Sequence, residues 1–309
     1  MRNFHGTNHR SRFFEGWYLK HQKDGRTIAF IPSYHLDQEG NPSASMQVIT
    51  NEGSHSVSFP ASEFYAAPRR FYVKIGKNVF SDLGMRISLQ GEKISVSGLL
   101  HYTPFRRPAS DMMGPFRHIP QMECNHGVLS LSHRLFGTLT VNGTEYDFSD
   151  GIGYIEKDWG NSFPSSYLWT QCGWPDASKD TVMISVADIP MLGRRFTGCI
   201  SSVLLSGREY RLATYRGATV KKCTEREVIL EQGNKRLQAR LIDGNPHPLQ
   251  APCQGAMRRI VRESPCCTVH YRMWIGSDKV FDRIGTCAGF ETSSLGTQRS
   301  GMAVTLPTS

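Results

Sequence analysis

Residues 11–20 read SRFFEGWYLK and residues 153–160 read GYIEKDWG. Each is an aromatic-rich run of strand formers with a Trp beside an acid. Taken as the opening strands of two similar halves, they predict two β-barrels, each with a polar group aimed into an apolar interior. The match is incomplete in detail. Glu15 and Trp17 lie two positions apart and share one face of a regular strand, whereas Glu156 and Trp159 lie three apart and do not. A β-bulge in the second run would restore the match.

Outward from these runs the chain alternates polar and apolar residues in short segments. Examples are 27–31 (TIAFI), 54–59 (SHSVSF), 93–100 (KISVSGLL), 181–187 (TVMISVA) and 268–274 (TVHYRMW). Period-two alternation at this spacing predicts antiparallel sheet throughout, with almost no helix. Asn142-Gly143 between strand-like flanks is a strong hairpin signal. At 309 residues the chain is long for one core, so two domains are expected, over 1–150 and 151–291. Residues 292–309, rich in Ser, Thr and Gly, read as a flexible tail.

A charged fraction of 20% against 39% hydrophobic places the chain among globular proteins. No apolar run approaches the ~18 residues of a spanning helix, and the first residues lack a secretory apolar core. Eight Cys without a CxxC, two of them adjacent at Cys266 and Cys267, read as reduced thiols in a cytoplasmic protein. Their spacing does not suggest a zinc site. The net charge of +9 is spread along the chain without basic-aromatic motifs, which argues against nucleic acid. A solvated basic face explains it, as does peripheral contact with an anionic membrane if the ligand is lipophilic. Glycine loops for phosphates or dinucleotides are absent, as is a GxSxG nucleophile elbow.

On a regular strand Tyr154, Glu156 and Asp158 share one face of GYIEKDWG. Two carboxyls on a face turned into an apolar pocket would hold at least one proton, which makes a usable acid. The plain alternative is that they pair with Lys157 or a nearby Arg. Tyr167, Trp169 and Gln171 share a face of the following strand and offer an aromatic wall with one amide, suited to an apolar ligand with a polar head. Ordinary core packing accounts for them equally well. The Met-rich run 112–127 suits an adaptable pocket wall, and Glu123 and His126 at its end form a candidate proton-handling pair.

Three long motifs together resemble the tocopherol cyclase family, particularly its bacterial members. They are FFEGWYLK, MGPFRHIPQMECNHG and GYIEKDWGNSFPSSYLWTQC, supported by RRIVRESP and AGFE near the C-terminus. The resemblance spans roughly residues 12–291. It implies an all-β fold of two lipocalin-like antiparallel β-barrels, related to carotenoid hydratases. It also implies a cofactor-independent activity, closure of a chroman ring on a prenylated hydroquinone, with no metal. Plant cyclases carry Asn at the positions of Asp158 and Gly173, so substrate contacts are expected to differ.

Under this resemblance Glu156 is the first candidate for the proton donor and Asp158 the second. Trp159, Tyr167 and Trp169 are candidates to stabilise a cation, with Tyr154 on the acid's face. Gln171 would hold the phenol, and Glu15 and Trp17 would line the first barrel or the cleft between barrels. The alternatives are a non-catalytic lipocalin-like carrier of a lipophilic molecule, and an alkene hydratase.

Overall fold

The computed structural model describes residues 3–119, 122–176, 178–191 and 194–293. The first sheet begins with β1 (Phe13–Lys23), β2 (Arg26–Leu36), β3 (Pro42–Thr50) and β4 (Ser54–Phe59). It continues through β5 (Phe64–Ala66), β6 (Tyr72–Ile75), β7 (Asn78–Ser81) and β8 (Gly84–Gln90). It ends with β9 (Ser95–Tyr102), β10 (Cys124–Val141), β11 (Thr144–Asp147) and β12 (Ile152–Gly160). The second sheet holds β13 (Tyr167–Gly173), β14 (Thr181–Met191), β15 (Arg194–Leu205), β16 (Arg208–Ala213) and β17 (Thr219–Thr224). The rest of it is β18 (Glu227–Gln232), β19 (Lys235–Asp243), β20 (His247–Cys253), β21 (Ala256–Ile275) and β22 (Asp278–Ser293).

The first sheet runs in the order β4-β3-β2-β1-β12-β10-β9-β8-β7-β6-β5 and the second in the order β16-β15-β14-β13-β22-β21-β19-β18-β17. In both, the last strand inserts beside the first. The halves are therefore alike in topology: β1 corresponds to β13, β12 to β22 and β10 to β21. This corrects the pairing of SRFFEGWYLK with GYIEKDWG. They are antiparallel neighbours in one sheet, with Glu15 opposite Trp159 and Trp17 opposite Lys157. Their unequal spacing needs no bulge, because they are not equivalent strands. GYIEKDWG closes the first sheet instead of opening the second, so that sheet extends to Gly160 and past the expected boundary at 150.

Alternation divides each strand between two environments. Trp17 and Leu19 of β1 and Ile155 of β12 point into a first core. Leu168 and Cys172 of β13 and Phe290 of β22 point into a second. Each core is wrapped by its own sheet, which rolls until β3 nears β6 and β15 nears β17. Closed barrels were expected; among the described residues no ladder joins β4 to β5 or β16 to β17. A 3-10 turn interrupts the chain at both places, Ala61–Glu63 and Thr214–Arg216. The interior of each roll is lined mainly with apolar side chains. A third cluster lies between the sheets and includes Tyr18, Tyr154, Tyr167, Trp169 and Met183.

The Asn142-Gly143 turn joins β10 to β11, with φ of 49° and 82°. All eight cysteines are free. No helix among the described residues is long and apolar enough to cross a membrane. Of the expected tail, Thr292 and Ser293 complete β22, and 294–309 lie outside the described residues.

Candidate active site

Between the two rolled sheets lies a cavity of about 150 Å³. A single water needs roughly 10–15 Å³ on such a measure, so the space suits an organic ligand. Its apolar wall includes Phe14, Met113, Phe116, Met122, Phe163 and Ile189. The Met-rich run expected to form a pocket wall thus does so, beside the short 3-10 helix Gly114–His118.

Glu156 reaches this cavity from β12 because residues 154, 156 and 158 share the strand face turned away from the first core. It is 5% exposed. Tyr154 donates its hydroxyl to Glu156 Oε2 at 2.5 Å, and Trp169 donates its indole N–H to the same oxygen at 3.0 Å. The Trp169 ring packs against Gly289 of β22, where a Cβ would stand 2.7 Å from it. His126 lies between the two acids. Its Nδ1 bonds Asp158 Oδ1 at 3.0 Å and its Nε2 faces Glu156 Oε2 at 3.5 Å.

Burial pushes the Glu156 carboxyl up and Asp158 adds to this. The His126 imidazolium and the two hydrogen bonds pull it down, and the balance lies at about 7. Burial opposes charge on His126, but the Glu156 and Asp158 carboxylates outweigh it and raise the imidazole to about 9. The triad therefore carries a proton at neutral pH within reach of an apolar cavity. Its donor atoms fall within 4.8 Å of one another, as in a cation site. Because the imidazole faces a carboxyl through each nitrogen, the three side chains also form a connected path for a proton.

The other expected site residues divide by strand face. Tyr167 and Trp169 line the cavity with Glu156, Asp158, Glu123 and His126. Glu123 pairs with Arg195 at 3.4 Å instead of with His126, whose partners are the two β12 acids. Gln171 accepts from the buried Lys20 Nζ at 3.4 Å, away from the lining. Trp159 stacks on His5 with centroids 4.4 Å apart. Trp17 sits in the first core, and Glu15 pairs with Lys157 at 2.7 Å. Cys124 also lines the cavity, but burial and then the nearby Asp158 raise its thiol well above the usual range, which leaves no nucleophile there.

Sequence reasoning gave no role to two further acids that the fold brings to the cavity. Glu263 of β21 and Glu291 of β22 stand directly opposite each other and both line it. Tyr18 donates to Glu263 Oε1 at 2.5 Å, and Tyr167 donates to Glu291 Oε1. A faint signal lay in the motifs RRIVRESP and AGFE, which carry these two residues, and in the likeness of AGFE to GYIE.

The fold and site define a class: two rolled antiparallel sheets enclosing an apolar cavity set with buried carboxylic acids. The sequence profile of the family described as tocopherol cyclase-like matches residues 93–293. The chain belongs to that family. No curated protein matches it in sequence. Among solved structures it resembles a Nitrosomonas europaea protein provisionally described as AttH, with 10% identity and a TM-score of 0.54 over 91% of this chain and 92% of that one. It also resembles kievitone hydratase from Nectria haematococca, with 13% identity and a TM-score of 0.52 over 91% of this chain and 88% of that one. At such identities the likeness is one of fold.

Proposed function

We propose that this protein is a cofactor-independent cyclase that closes an ether ring on a prenylated hydroquinone or a similar polyene. The observation that carries this reading is Glu156, a buried carboxyl at an apolar, aromatic cavity, bonded by Tyr154 and Trp169 and raised by burial to about 7. Glu156 gives its proton to the less substituted alkene carbon, which leaves a tertiary cation. The faces of Trp169, Tyr18 and Tyr167 favour that charge. The phenol oxygen captures the cation and its proton departs. A cavity that folds the prenyl chain over the ring supplies orientation, which can contribute much of the rate.

The test incubates purified protein with prenylated hydroquinones in detergent and looks for a product of unchanged mass and altered retention. Glu156→Gln is expected to lower turnover about 100-fold or more. The reading fails if no member of the panel is converted and Glu156→Gln matches wild type in every assay. Lipophilic ligand retained equally by both proteins in native mass spectrometry would instead mark a carrier.

Hydration of an alkene is the second reading. Asp158 is 21% exposed at its side chain, so solvent reaches the acid cluster, and the kievitone hydratase fold is similar. A product heavier by one water identifies it.

A further inference from the structure

Glu291 is the second-half counterpart of Glu156. On β1, Tyr18 stands opposite Glu156, and on β13, Trp169 stands opposite Glu291. Each aromatic then crosses to the other half, Trp169 donating to Glu156 and Tyr18 to Glu263. Two residues further along these strands, Lys20 and Gln171 meet at 3.4 Å. The cavity thus has approximate two-fold symmetry, with an acid at each equivalent position.

The two acids differ in what stands beside them. Glu156 has His126, a cation. Glu291 has Glu263, another acid, as its cross-strand partner. Carboxyls directly opposite on paired strands repel when both are charged, and here both are buried. The side-chain hydrogen bonds they receive come from the hydroxyls of Tyr18 and Tyr167. Glu263 Oε2 is buried without a partner. That free oxygen beside a second carboxyl is where a shared proton or a substrate hydroxyl would sit.

We propose that Glu263 and Glu291 form a second acid–base site in this cavity, holding one proton between them and accepting the substrate's hydroxyl proton as the ring closes. This rests on the cyclase reading. The alkene π bond breaks as it takes the proton of the Glu156 O–H to form a C–H bond, a C–O bond forms between the phenol oxygen and the cation, and the phenol O–H breaks with its proton passing to the ionised member of the pair. Solvent exchange after product release returns that proton to Glu156, so no electrons are gained or lost. Burial raises both carboxyls, Glu263 to about 7 and Glu291 well above the usual range, consistent with a pair not fully ionised. The titratable groups around them are Tyr18 and Lys20 from β1, Tyr167 from β13, Glu156 and Asp158 from β12, Cys267 from β21 and, directly opposite Glu263 on β20, His247.

One arm of the test needs no substrate. Infrared difference spectra of the full chain follow its protonated carboxyl bands through a pH titration. Wild type is expected to show two separate ionisations from the pair. Glu263→Gln and Glu291→Gln should each leave one, about one pH unit or more below the upper wild-type step. If a single replacement leaves the partner's ionisation unmoved, the shared proton is overturned. Should a glutamine variant fail to melt cooperatively, Tyr167→Phe replaces it. Loss of that hydroxyl is expected to raise the upper ionisation, and no change overturns the proposal.

The other arm measures turnover of prenylated hydroquinones. Both glutamine variants should fall about 100-fold or more. Wild-type turnover in both, with Glu156→Gln inactive, overturns the second site and leaves alkene protonation standing. Failure of wild type with every probe removes the cyclase reading and the hydroxyl role with it, while the infrared arm still decides the shared proton.

Discussion

Trp169 both walls the cavity and donates its N–H to Glu156 at 3.0 Å, and that bond favours the carboxylate over the acid. Removing the donor should therefore make Glu156 a weaker acid that stays protonated to higher pH. Trp169→Phe keeps an aromatic face and loses the N–H, worth about one pKa unit for a hydrogen bond to a charged group. The alkaline limb of kcat/KM, expected near pH 7 in wild type from the Glu156 proton, should move up by that amount. A limb that stays or moves down assigns the proton to another group. At this scale the sequence was informative for β12, since strand alternation alone put Tyr154, Glu156 and Asp158 on one face. It was silent on His126 as their partner, because the separation of 32 positions between His126 and Asp158 is bridged only by the β10–β12 ladder.

Between β1 and β12 the face away from the cavity carries a buried ion pair, Glu15 with Lys157 at 2.7 Å. His5 adds two more contacts to the Glu15 carboxyl, its backbone N–H at 2.7 Å and its Nδ1 at 3.0 Å, and the Lys157 ammonium lies 4.6 Å from the Trp159 ring centroid. Removing one partner leaves a buried charge without its counter-ion, which costs about 3–5 kcal/mol. Glu15→Ala should lower unfolding stability by about that much in urea titrations while the Glu156 ionisation stays in place. A loss under about 1 kcal/mol would place the pair among weak surface bridges. Glu15 and Trp159 looked like site residues because composition marks a buried acid and an aromatic alike, whichever face they occupy. The face is settled by which strand packs alongside, and β1 lies next to β12.

Across the whole molecule, buried titratable groups oppose one another as pH changes. Glu156 and Glu263 are raised to about 7 and Glu291 is raised well above its usual value, chiefly by burial, so each adds stability below the unfolded value near 4.3 and loses it as pH rises through its folded value. His126, raised to about 9, loses its contribution between about 6.5 and 9. His21 and His35 are lowered by burial to about 3 and about 4, and burial also lowers His133 well below its usual value. Their contributions are present above about 6.5 and are lost as pH falls through the folded values. Each group is worth about 1.4 kcal/mol per pH unit within its window. Between about pH 4.5 and 6.5, three carboxyls and three imidazoles therefore nearly cancel. Thermal melts should show a plateau there, with a fall on both sides. The Glu263→Gln/Glu291→Gln double variant should shallow the alkaline fall. Above about pH 7 the Cys266 thiol, lowered to about 6 chiefly by its hydrogen bond with Cys287, offsets the loss from His126, so the test lies between pH 6.5 and 7, where a climbing melting temperature contradicts these shifts.

What the sequence determined by itself was local. Period-two alternation settled the all-β class, the Asn-Gly turn and the shared face of the β12 acids, since side-chain direction along a strand depends only on neighbouring residues. The long motifs around Glu156 also disclosed the family. What the tertiary structure alone decided was partnership. It made SRFFEGWYLK and GYIEKDWG neighbours in one sheet, set the cavity between two rolls instead of inside them, and brought Glu263 and Glu291 of the second sheet to face Glu156 of the first. Those choices depend on which strands pair at long range, and a strand's own residues encode its two faces but not the partner that covers each.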